Sequence, residues 1–135
     1  MKLKITLLFY FFIQFVSAQN SIDEIKNNII GKWEWKSSHF VTQVRTYNTE
    51  ETPLTCMCSK RIEFINDRIL REYRNDSLLY ESDFSLEAPN YYYGRSKAIM
   101  RNNHLDGPVI IYGDTMILGD WGGCGDLIQR YVKLK

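Results

Sequence analysis

Three residue pairs, Asn66-Asp67, Asn75-Asp76 and Gly113-Asp114, each stand between two short runs in which apolar and polar side chains alternate. Asn, Asp and Gly tolerate the positive φ that two-residue hairpin turns require. A two-residue link can join only antiparallel neighbours, because a parallel pair needs a long crossover. The clearest alternation is in residues 78–86. Leu78, Tyr80, Phe84 and Leu86 fall on one face, with Leu79, Glu81, Asp83 and Ser85 on the other. Residues 32–36 alternate in the same way and put Trp33 and Trp35 on one face.

Residues 61–65, 68–74, 96–101, 109–112, 115–118 and 126–135 read as further strands, and residues 40–47 as a weaker one. The hairpin at Gly113-Asp114 has glycine first, as a type II′ turn wants. Residues 48–55, with Pro53, and the glycine-rich 120–125 read as loops, as do residues 87–94 with three consecutive tyrosines and the turn-rich 102–108. A single short helix is expected at residues 22–28. Ser21 and Glu24 form a capping box, isoleucines 22, 25, 29 and 30 recur at helical spacing, and Asn27-Asn28 and Gly31 end it. Eight or nine short strands joined by tight turns form an antiparallel up-and-down meander. Left open, such a sheet exposes its edges, so the expected fold is all-β, closed into a small barrel behind the helix.

Residues 1–18 read as a secretory signal peptide. Lys2 and Lys4 are followed by an apolar stretch over residues 5–16 and by small residues at Val16-Ser17-Ala18. That stretch is shorter than the ~20 residues of a transmembrane helix. No cysteine stands at the cleavage point, so no lipid anchor is expected. The remainder, residues 19–135, suits one domain. Without the two signal lysines the chain has 15 basic and 16 acidic side chains. This balance gives no reason to expect nucleic acid or an anionic membrane as partner. A monomer in the periplasm or outside the cell is expected.

Three cysteines, 56, 58 and 124, imply one disulfide and a spare thiol, or a link to another chain, in an exported protein. Their spacing does not match structural zinc sites, and neither a metal nor another cofactor is expected. Cys124, whose glycine neighbours let the backbone adapt, should pair with the Cys56-x-Cys58 element. Both cysteines share the parity of Ile62 and Phe64, and Cys58, next to that strand, is the better partner than Cys56, which lies closer to the loop at residues 48–55. A direct Cys56–Cys58 link is disfavoured on an extended strand, where their Cα atoms stand ~7 Å apart.

A short helix followed by Gly31-Lys32-Trp33 at the head of a compact meander resembles the lipocalin (calycin) superfamily, in particular small bacterial exported lipocalin-like domain proteins. The closing segment Cys124-Gly125-Asp126, with Gln129-Arg130-Tyr131-Val132-Lys133, is similar to the last strand of those proteins. The resemblance implies that Trp33 packs across the closed end of the barrel and that Arg130 stacks on it as a cation–π partner. It also implies a ligand at the open end, although this chain is shorter than a standard lipocalin.

No catalytic constellation is visible. His39 and His104 sit in polar, loop-like surroundings, the carboxylates are scattered over solvent-facing strand positions, and no phosphate-binding loop is present. The expectation is a protein that is not an enzyme and that binds a small apolar or amphipathic ligand. The candidate contacts are Trp35, Tyr80 and Phe84 inside the barrel and Tyr92 and Trp121 on loops, each of which could equally serve the core or the surface. The alternative is a filled barrel acting as an inhibitor or envelope subunit, which contacts a partner protein through Tyr92, Trp121 and residues 48–55.

Overall fold

The computed structural model describes residues 22–42, 49–88, 98–104, 106–122 and 125–135. The expected signal peptide, Tyr92 and Cys124 lie outside these residues. The helix α1 (Ile22–Ile29) precedes β1 (Gly31–Thr42) and β2 (Thr49–Glu51). A helical turn, α2 (Pro53–Cys56), leads to β3 (Lys60–Phe64), β4 (Ile69–Arg74), β5 (Ser77–Asp83), β6 (Ser85–Glu87), β7 (Ala98–Arg101), β8 (Asp106–Tyr112), β9 (Thr115–Gly122) and β10 (Gly125–Lys133). Neighbours run in the order β5-β4-β3-β1-β10-β9-β8-β7-β6, all antiparallel, with β2 beside the far half of β1. The result is a nearly closed nine-strand barrel behind a short helix.

Closure occurs within one stretch of chain. β5 pairs with β4 up to Asp83, and from Ser85 the chain pairs with β7 instead. Phe84 is the corner between the two pairings. Its amide donates to the Arg68 carbonyl at 2.7 Å, and its buried ring meets Phe64 edge to face at 5.1 Å between centroids. Across the remaining seam Asn102 Nδ2 donates to Ser82 Oγ at 2.7 Å and to the Asp83 carbonyl at 3.1 Å. The His104 ring stacks on Tyr80 at 4.2 Å.

Two irregularities reset which side chains face inward. In β1 the pairing steps from Trp35 opposite Tyr131 to Ser37 opposite Arg130, which leaves Lys36 as an extra residue. Trp33 and Trp35 therefore point in, and beyond the bulge Ser38 points in as well. Ser38 Oγ accepts the Trp35 Nε1–H at 2.9 Å. In β5, Tyr80 faces Glu72 and Leu78 faces Tyr73, so Leu79 is the extra residue. Leu78 thereby leaves the face it was expected to share with Tyr80 and is 53% exposed. The hairpin turns follow their residue types. Asn75 and Asp76 take φ of 49° and 63°, and Gly113 takes 57°. At the first turn Asn66 Oδ1 accepts the amides of Arg68 and Ile69.

The helix caps one end. Ile25 and Ile29 enter a core with Trp33, Ile62, Phe64, Leu70, Phe84, Ala98, Met100, Val109, Ile111, Met116 and Leu118. Trp33 is fully buried, and its Nε1–H donates to the Ile29 carbonyl at 2.7 Å, which uses one of the acceptors a helix leaves free at its C-terminus. The cation over the Trp33 ring is Lys133, with Nζ 5.2 Å from the centroid and 2.8 Å from the Asn28 carbonyl. This corrects the expectation for Arg130. Lys133 stands directly opposite Trp33, whereas Arg130 stands opposite Ser37 on the exposed face. Gly31 has φ of 126°, and an added Cβ would lie 3.2 Å from Lys133 Cε, so the position favours glycine on two counts.

The expected Cys58–Cys124 bridge is also corrected, because Cys58 is joined to Cys56. The residues before Cys56 are not an extended loop. Thr52 caps the helical turn, with its side chain and that of Thr55 each accepting the other's amide, and Pro53 starts it. Met57 follows in the left-handed region at φ 51°. This curl brings the two Cα atoms to 5.2 Å, inside disulfide range. Gly125, next to Cys124, is level with Thr42 at the far tip of β1, whereas the strand that follows Cys58 starts beside Trp35. A bridge spanning two residues constrains the unfolded chain little, by about 1.5 kcal/mol on the chain-entropy model. Replacing both Cys56 and Cys58 by serine should therefore lower stability in urea by about 1–3 kcal/mol, with much of that loss due to the serine hydroxyl buried at position 58. A Cys56→Ser change, at the less buried site, should cost no more than about 1.5 kcal/mol. A loss near 4 kcal/mol for Cys56→Ser would show that the bridge constrains far more of the chain than this.

Candidate functional site

The interior is apolar beneath the helix and becomes polar toward the other end. A row of laterally paired positions runs Lys133, Trp33, Ile62, Glu72, Tyr80 across β10, β1, β3, β4 and β5. Glu72 has the parity of the fully buried Leu70, so it faces inward, and its Oε2 accepts the Tyr80 hydroxyl. Tyr131 reaches the same region from β10, which is separated from β4 in the sheet by β1 and β3. Its hydroxyl lies 3.3 Å from Gln129 Oε1. Opposite Tyr131 stands Trp35, fully buried, with its Nε1–H on Ser38 and Lys60 Nζ 4.1 Å from its ring centroid. Lys60 Nζ also meets Glu51 Oε2 at 3.1 Å.

Both inner tyrosines are held in the neutral form. Burial, and after it the Tyr80–Glu72 hydrogen bond, raises the Tyr80 phenol well above its ordinary value. Burial raises Tyr131 further, and the nearby charge of Glu72 adds to it. A negative charge on either ring would sit in a poorly hydrated interior beside a carboxylate. The far half of the barrel thus offers one carboxylate, two neutral phenols, an amide and a hydroxyl against the face of Trp35, with Lys60 at the margin. Such a set can orient a molecule through hydrogen bonds. No nucleophile is paired with a base in it, and among the described residues no group of His, Cys, Asp and Glu could hold a metal ion.

Of the residues expected to contact ligand, Trp35 and Tyr80 belong to this region. Phe84 is buried against Phe64 at the helix end. Trp121 lies in β9 opposite Asp126, and its side chain, like Tyr92, is outside the described residues. Sequence reasoning missed Glu72, Lys60, Gln129 and Tyr131. The parity Leu70–Glu72 carried the signal for Glu72, but the carboxylates were all read as solvent-facing. His39 pairs with Glu50 at 3.5 Å on the surface, and His104 lies over Tyr80.

The raised phenol values set a pH dependence. The folded chain keeps protons that the unfolded chain releases near pH 10, so the stability these two groups contribute is fully present below that pH and is lost above it. Tyr131→Phe should make the fall between pH 10 and 12 shallower in urea titrations followed by fluorescence. An unchanged slope would show that Tyr131 is not held neutral by the fold.

No protein-family model, curated protein or solved structure matches this chain.

Proposed function

We propose that the protein is a lipocalin-like, exported binding protein that holds a small amphipathic molecule at the barrel end opposite α1, without converting it chemically. The supporting observation is Glu72, partly buried and on an inward-facing strand position, with Tyr80 and Tyr131 beside it, in a barrel whose helix end is apolar. A barrel of this size can fill its interior with side chains alone, and an inward carboxylate is costly there unless its acceptor capacity is used. Only the Tyr80 hydroxyl donates to Glu72 among the described hydrogen bonds, and a carboxylate can accept several more. A ligand head group carrying hydroxyl or amino hydrogens would complete that set.

The test is titration of the recombinant protein with long-chain alcohols and amines, followed by Trp fluorescence and native mass spectrometry. The expected result is saturable one-to-one binding, weakened about tenfold by Glu72→Gln, the loss of one charge-assisted hydrogen bond. The absence of saturable binding, or equal binding by the Glu72→Gln protein, would overturn the proposal.

A further inference from the structure

We infer that the Cys56-Met57-Cys58 disulfide is a thiol–disulfide exchange site that oxidises dithiols of polypeptides and is attacked at Cys56 Sγ. The site lies at the end of the α2 turn, at the margin of the core, and this activity is separate from ligand binding. Three observations carry it. First, the bridge spans only two residues, both within one local turn, and connects no distant parts of the fold. Thr52, Thr55 and Pro53 already hold the turn by hydrogen bonds. Second, the two sulfurs differ in access. Cys58 belongs to the core at 7% exposure, whereas Cys56 is only partly buried. An incoming thiolate therefore reaches Cys56, and Cys58 is the leaving group, able to rest in the core as a small neutral thiol. Third, Leu54 and Met57, on either side of Cys56, are 88% and 91% exposed. No packing within the described fold calls for two such side chains here, and they offer apolar contact to a polypeptide whose cysteines are not yet buried.

The electron balance is closed. A substrate thiolate attacks Cys56 Sγ, the Cys56–Cys58 bond breaks, and its electron pair leaves on Cys58 Sγ, which takes up a proton. The second substrate thiolate attacks the substrate sulfur of the mixed disulfide and releases Cys56 as a thiolate, which is protonated in turn. The substrate leaves as a disulfide, having lost two electrons, and the protein has gained two thiols. A low-molecular-weight disulfide such as oxidised glutathione regenerates the site by the reverse sequence.

The experiment uses the mature chain with Cys124→Ser, so that only this pair reacts. The oxidised protein is mixed with reduced glutathione or with a two-cysteine peptide rich in Leu and Phe, quenched by alkylation and mapped by mass spectrometry. Glutathione should appear on Cys56 in at least about tenfold excess over Cys58, because attack follows access. Leu54→Ser with Met57→Ser should slow the peptide reaction about tenfold while leaving the glutathione rate unchanged, the effect of losing partial apolar burial. Three results would overturn the inference: adducts mainly on Cys58, opening of the bridge only at the rate of global unfolding, or equal slowing of both thiols by the double variant. Both cysteines remain in that variant, and its exposed substitutions leave the core untouched.

Discussion

The Trp33 indole has its polar atom inside the barrel, and that constraint organises the helix end of the molecule. A buried N–H without an acceptor costs about 1–3 kcal/mol. The Ile29 carbonyl removes that cost only if α1 ends directly above the ring. The helix is thereby fixed across the barrel end, where Ile25 and Ile29 complete the core. Lys133 ties the last strand to the same point through the ring face and the Asn28 carbonyl, and Gly31 leaves room for its stem. The first strand, the last strand and the helix thus meet at one side chain, which explains why both ends of the chain contribute to one cap.

With that end sealed by apolar packing, polarity inside the barrel is confined to the other half. The same row that begins at Lys133 and Trp33 ends at Glu72 and Tyr80, so the structural and the candidate binding residues are successive members of one pairing register. His104 and Asn102 then matter for more than the surface. They bridge the seam beside Tyr80 where β5 and β7 are not paired. The disulfide turn enters the core only through Cys58 and takes no part in the polar region around Glu72.

Much of the architecture was legible in local patterns. The alternation through residues 80–86, the paired turn residues and the Ser21–Glu24 capping signal each act over a few residues, and strands, hairpins and helix emerge where they indicate. Two of the failures depend on the register between paired strands. Whether Arg130 or Lys133 covers Trp33 is decided by the register between β1 and β10, which no local pattern announces. The bulge at Leu79 likewise turns Leu78 outward despite its even parity. The disulfide is a different case. Thr52, Pro53 and Thr55 encode a capped helical turn locally, but the same polar, proline-containing stretch also fits an irregular loop, and only an extended chain keeps Cys56 and Cys58 apart. Glu72 was legible from Leu70 by parity, and the general preference of carboxylates for solvent hid it.

Hydrogen exchange of the Trp33 indole N–H tests the account most directly. If this bond holds helix and barrel together, the proton exchanges only when the whole domain unfolds. Its protection should then equal the global stability measured in urea and fall with the same denaturant dependence. An indole proton that exchanges rapidly, or by a local opening insensitive to urea, would contradict the claim that Trp33 and α1 form the fixed end of the barrel.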